Sequence, residues 1–180
     1  MKVIVFNNHK DGGVSICWPI PEIFSYMAHG GLWSGKPRGY LEIQIERQIS
    51  IGIRPDDARR FAYAVQFGGC TTVEALEIIR DRDCAPHGTA IELWDADEVP
   101  VDRWFRAAWR RSHNGGPINI NLNIARHVQF KRARDFVEHE NRLRLDELDA
   151  KEAIEVDWNN FRQRIRSARD EHELRLIWPA

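Results

Sequence analysis

Pro55-Asp56-Asp57-Ala58-Arg59-Arg60-Phe61-Ala62-Tyr63-Ala64-Val65-Gln66-Phe67 is the stretch whose reading decides the fold class. Ala58, Phe61, Ala62 and Val65 fall at i, i+3, i+4 and i+7, which places them on one face of an α-helix. Pro55 suits a first helical turn, Asp56 and Asp57 bring negative charge to the positive end of the helix dipole, and Gly68-Gly69 stops the run. Downstream, Thr71-x-x-Glu74 matches a capping box, so a second helix is expected through Arg82 with Val73, Leu76 and Ile79 inward. Upstream, Tyr40 to Ile53 is ambiguous, because Leu41, Ile43 and Ile45 alternate as in a strand while Leu41, Ile45 and Ile49 keep helical spacing. Its Glu- and Gln-rich filling favours helix.

Working outward, Lys2 to Phe6 and Val14 to Trp18 are β-prone runs on either side of the turn-rich Asn7 to Gly13, which reads as a β-hairpin. Pro19 and Pro21 end strand pairing, and His29 to Pro37 reads as an irregular loop. A lone hairpin is marginal in water, so this arm is expected to dock on the helical body or on a partner. Ala90 to Trp94 is a short strand candidate. Val101, Trp104, Phe105, Ala108 and Trp109 sit at i, i+3, i+4, i+7 and i+8, predicting a helix over 102–111 with Arg103, Arg106, Arg110 and Arg111 on its other side. Ser112 to Pro117 breaks the chain, a long Arg-rich helix is expected from about Leu122 to Leu148, and a helical hairpin follows over 157–169 and 171–178. The expected fold is α+β and mostly α-helical. Its parts are a hairpin arm and loop over 1–37, a helical body with a short strand over 38–114, and the long helix with a C-terminal helical hairpin over 115–180. The last two are expected to form one compact unit.

With 180 residues, 43% hydrophobic and 29% charged, the chain resembles an ordinary globular protein in composition, and wholesale disorder is not expected. No apolar run approaches the roughly 20 residues of a membrane helix, and Met1 to Asn8 lacks the pattern of a signal peptide. Residence in the cytoplasm is the resulting expectation. Cys17, Cys70 and Cys84 are odd in number and widely spaced, as expected of buried free thiols.

Charge is segregated along the chain. From Arg103 to Arg144 there are ten Lys or Arg and three Asp or Glu, whereas Asp146 to Asp157 carries six acids and one Lys. Arg126, Lys131, Arg132 and Arg134 of the long helix are therefore candidates for contact with an acidic partner or with nucleic acid. The plainer alternative is a solvated helix face satisfied by i, i+4 pairs and by the acidic segment. Helix-turn-helix reading of DNA through 73–82 is disfavoured, because Glu74, Glu77 and Asp81 would face phosphates. His9, His29, His87, His113, His127, His139 and His172 show no metal-ligand spacing, and Asp95-x-Asp97-Glu98 lacks the other ligands of a calcium loop. No nucleophile elbow, Walker loop or dinucleotide glycine pattern is present, so neither an enzyme nor a cofactor is expected.

Phe161-Arg162-Gln163-Arg164-Ile165-Arg166 followed by Ile177-Trp178-Pro179 resembles the closing module of bacteriophage tail assembly chaperones, with Phe161 where a tyrosine usually leads and Arg164 where a small residue is common. The blocks Ala75 to Cys84, Ile91 to Asp95 and Asp102-Arg103-Trp104-Phe105-Arg106-Ala107-Ala108-Trp109 are similar to uncharacterised phage and prophage proteins of the tail module. The resemblance spans Val73 to Pro179. It implies a non-enzymatic protein that binds a tail or tail-fibre protein during assembly, in the host bacterial cytoplasm or the virion. Trp158, Phe161, Arg162, Ile177 and Trp178 are the expected partner-binding residues, since buried aromatics and arginines anchor interfaces. Packing within the C-terminal hairpin is the competing role for these rings. The alternative functions are a phage effector that inhibits a host protein and a nucleic-acid-binding accessory protein.

Overall fold

Val3, Ile4, Val5 and Phe6 form an unbroken apolar run, the pattern of a strand covered on both faces. In the computed structural model, which describes residues 1–146 and 153–179, all four are buried in β1 (Lys2–Asn8). β1 is the centre of a three-stranded antiparallel sheet, between β2 (Val14–Cys17) and β3 (Gly88–Asp95). The expected hairpin is thus present, but it is no free arm: its first strand gains a second edge partner from a segment some eighty residues on. The β1–β3 register shifts at one point, with Val5 opposite Glu92 and Asn7 opposite Thr89. The extra residue falls on β3, where Ala90 takes a φ of 52°.

Four helices follow between β2 and β3. α1 (Pro21–His29) lies where only a break was expected, with Pro21 as a helix-starting residue and not merely a strand breaker. α2 (Tyr40–Ser50) and α3 (Pro55–Phe67) fall as predicted. α4 (Thr72–Ile79) opens with the full capping box, Thr71 Oγ1 accepting from the Glu74 N–H and the Glu74 carboxylate accepting from the Thr71 N–H at 2.8 Å. It runs into a π-helical turn at Arg80–Cys84. Ala75, Leu76, Ile78 and Ile79 form its buried face, and Val73, expected inward, is 61% exposed. Two residues from Ala75, Val73 is about 160° away around the helix axis. The core joins Ile4, Phe6, Met27, Phe61, Val65, Leu76, Ile79 and Cys84. Cys17 packs against it half-buried, while Cys70 is also half-buried.

The C-termini of α1 and α3 meet at Gly30 and Gly68, and their backbones pair reciprocally. Gly31 N–H donates to Gln66 O at 2.8 Å and Leu32 N–H to Val65 O at 3.1 Å; Gly69 N–H donates to Ala28 O at 2.9 Å and Cys70 N–H to Met27 O at 3.0 Å. A Cβ on Gly30 would lie 2.7 Å from the Phe67 carbonyl carbon, and one on Gly68 only 2.5 Å from Gly30 N. Both glycines also have positive φ, 77° and 74°. Only glycine meets both demands.

The helix expected over 102–111 does not form. A 3-10 turn at Arg106–Ala108 leads into β4 (Trp109–Ser112), which a two-residue connection joins to β5 (Gly115–Ile120). Burial along β4 alternates, and Arg111, expected on the outer side of a helix, has a fully buried side chain. Its Nε donates to Gly116 O at 2.8 Å, its Nη1 to Ala90 O at 3.2 Å, and its Nη2 pairs with Glu92 Oε2 at 2.5 Å. Glu92 Oε2 also accepts from the Trp94 indole at 2.9 Å and Oε1 from the Gly116 N–H at 3.1 Å. That network outweighs the helical spacing of the aromatics.

The described chain divides into two units: Met1–Val101 with Arg111–Pro117, and Asp102–Arg110 with Ile118–Ala180. In the second, α5 (Leu122–Asp146) is the long helix, and α6 (Trp158–Ser167) and α7 (Glu171–Leu176) are the expected terminal hairpin. Asp157 caps α6 and Asp170 caps α7. Phe105, Ala108, Ala125, Ala133, Phe161, Ile165, Ala168 and Leu174 make its core. The expected continuation of α5 to Leu148, and part of the acidic segment, lie outside the described residues. No helix among the described residues is long and apolar enough to cross a membrane.

Candidate functional site

Asn123, Arg126, His127, Phe130, Arg134, Val137, Glu138 and Asn141 recur every three or four residues along α5, so they share one side of the helix. α6 packs beside that side and contributes Trp158, Arg162, Ile165 and Arg166. Two cavities of about 480 and 430 Å³ lie end to end here, and Phe130 and Arg162 line both. From Asn123 to Asn141 the groove follows α5 for about 27 Å at 1.5 Å per residue.

The groove differs at its two ends. Arg126, Arg162, Arg166 and His127 surround the first cavity, with Phe130 and Ile165 as its apolar wall. Arg126 is held in place by Nη1 donating to Asn123 Oδ1 at 3.0 Å and Nη2 to Ala168 O at 2.8 Å. Arg162 is exposed, with its guanidinium carbon 5.1 Å from the Phe130 ring centroid, a cation–π stack that orients the fork. Among the described residues, no carboxylate is paired with Arg126, Arg162 or Arg166. At the second cavity, Arg134 is neutralised by Glu138 at 2.8 Å, and Val137, Ile154 and Trp158 supply apolar surface. Asn141 fixes Ile154 there, accepting from its N–H at 2.6 Å and donating to its carbonyl at 3.2 Å.

Phe130 and Trp158 at the groove form a three-ring cluster with Phe161 beneath them, centroids 5.6 to 6.1 Å apart. Of the residues expected to bind a partner, Arg162 and Trp158 line the groove, Trp158 half-buried. Phe161 is 3% exposed, so its ring belongs to the core and offers no surface. Ile177 and Trp178 lie elsewhere and are half-buried, with the Trp178 indole 6.1 Å from Trp104 and 5.4 Å from Phe136. Of the basic candidates, Arg126 and Arg134 line the groove, while Lys131 is exposed away from its lining. Arg132 stacks on Trp104 at 4.4 Å, as does Arg175 at 5.0 Å.

Sequence reasoning missed Asn123, His127, Phe130 and Arg166. The available signal was their spacing, Arg162 and Arg166 at i, i+4 on α6 and Asn123, His127 and Phe130 at steps of four and three on α5.

Among the described residues no group of three or more His, Cys, Asp or Glu is arranged to hold a metal ion. Comparison of the chain with protein-family models, curated proteins and solved structures gives no match.

Proposed function

We propose that this chain is a non-enzymatic protein-binding protein that acts in phage tail or tail-fibre assembly and engages its partner through the groove between α5 and α6. The observation that carries the binding reading is Arg162: an exposed guanidinium oriented by an aromatic ring, next to Arg166, neither with a carboxylate of its own chain among the described residues. Unpaired, oriented arginines beside a half-buried indole have the chemistry of interface anchors. The assembly setting rests on the resemblance of 161–166 and 177–179 to the closing module of tail assembly chaperones.

The test is retention of phage tail and fibre proteins by a tagged chain during infection. Recovery of such a protein, lost on Trp158→Ala with folding retained, is the expected result. Recovery of a host protein instead points to an effector, and retention of no protein at all overturns the reading.

A further inference from the structure

From the uneven charge of the groove we infer the chemistry of its occupant: an acidic amphipathic segment of another protein, its carboxylates at Arg162 and Arg166 and an aliphatic or aromatic side chain against Phe130 and Trp158. This deepens the binding reading above and rests on it.

Three features carry the inference. First, the positive charge that has no carboxylate partner among the described residues is local. Arg162 and Arg166 are one helical turn apart on α6, about 6 Å along the axis. Carboxylates at i and i+4 of a helix, or at i and i+2 of a strand, match that interval. Arg126 adds a fixed charge behind them, since its two terminal nitrogens are already engaged by Asn123 and Ala168.

Second, the charge does not continue. Toward the second cavity Arg134 is cancelled by Glu138, the one carboxylate among the described residues that line it. A nucleic acid carries a negative charge at every nucleotide, so a backbone running along the groove would meet the Glu138 carboxylate and, with Arg134 already paired to it, no compensating charge at that end. A segment whose acids are confined to one end would not.

Third, between its polar ends the groove has an apolar wall. Phe130, Val137, Ile154, Trp158 and Ile165 wall it. Such a wall rewards a buried side chain on the ligand, and charge-assisted hydrogen bonds at the arginine end set its direction.

The probe is a fluorescent peptide with Glu at i and i+4 on one end and Leu on the other, read by anisotropy at low and high ionic strength. A Glu→Gln version and a single-stranded oligonucleotide are the competitors. The peptide is expected to bind, to weaken with salt, and to lose about tenfold or more on Glu→Gln. Arg162→Glu with Arg166→Glu abolishes binding. Arg166→Glu alone, at an exposed residue with no hydrogen bond or ion pair among the described residues to disturb, weakens it about tenfold. Lys131→Glu, outside the groove, leaves it within about twofold, by the small reach of a screened surface charge. Equal binding of the Gln peptide, tighter binding of the oligonucleotide, or an equal loss on Lys131→Glu overturns the inference. In the infection experiment, a tail protein retained in full by Arg166→Glu would sink this assignment and leave protein binding itself standing; retention of nothing by the wild type would sink both.

Discussion

Gln129 donates from Nε2 to the Ile177 carbonyl oxygen at 2.7 Å with none of its own surface exposed. Its Oε1 accepts from the Trp104 indole N–H at 2.9 Å, so one buried amide ties the C-terminal Ile-Trp-Pro segment and the aromatic Trp104 to the middle of α5. Gln129→Ala leaves the carbonyl of half-buried Ile177 and the indole N–H of half-buried Trp104 without their partner and is expected to destabilise the second unit by about 1–3 kcal/mol. Urea denaturation followed by tryptophan emission measures it. A loss under about 0.5 kcal/mol, the range of an ordinary surface substitution, would contradict the tie.

The Arg111–Glu92 pair predicts both a mutational cost and a pH dependence. Arg111 is fully buried whereas Glu92 is 35% exposed, so Glu92→Gln leaves a buried guanidinium without its counter-ion at a cost that solvent on the Glu92 side reduces to about 2–3 kcal/mol at neutral pH. Desolvation pushes the Glu92 carboxyl up, but the Trp94 indole, the Gly116 N–H and the Arg111 charge together hold it below its ordinary value near 4.5. Its stabilisation is complete above that value and is lost as pH falls through the lower folded one. Denaturation midpoints between neutral pH and pH 3 should therefore fall more steeply for the wild type than for Glu92→Gln, and equal slopes would refute the assignment.

At the meeting of α1 and α3, Gly68→Ala must push a methyl into the Gly30 backbone and is expected to prevent folding or cost several kcal/mol. Gly69→Ala shares a positive φ, 88°, but has nothing within 4 Å of the added carbon. It should cost only about 1–2 kcal/mol, the backbone strain alone. Thermal melts of the two variants distinguish close approach from conformational strain, and similar melts would mean that the contact is immaterial.

Ala90 is the one non-glycine residue with positive φ among those described, and its carbonyl accepts from Arg111. Ala90→Gly relieves about 1 kcal/mol of strain without altering that bond, and should raise the unfolding midpoint. A lower midpoint would show that the Ala90 methyl contributes more by packing than it costs in conformation.

Much of the fold was legible from local patterns. α3 and the α4 capping box follow from spacing and end signals carried within a dozen residues, and the N-terminal hairpin from its turn. What failed depended on distant partners. Trp104, Phe105, Ala108 and Trp109 keep helical spacing, yet Arg111 is drawn into β4 by Glu92, nineteen positions away in sequence, and no local signal marks such a pair. Asn114-Gly115, read as a break, is also a hairpin signal, and Pro21 is a helix start as readily as a strand stop. In the groove, Arg162 and Trp158 were visible as an aromatic-arginine motif. Phe161 was indistinguishable from them, because sequence does not say which ring of a cluster faces inward.

Where α1 and α3 cross, each helix end supplies the acceptors that close the other, so neither can fray by itself. Amide hydrogens of Gly31, Leu32, Gly69 and Cys70, though set in connecting segments that ordinarily exchange early, should exchange with deuterium at one common rate set by opening of the whole helical pair.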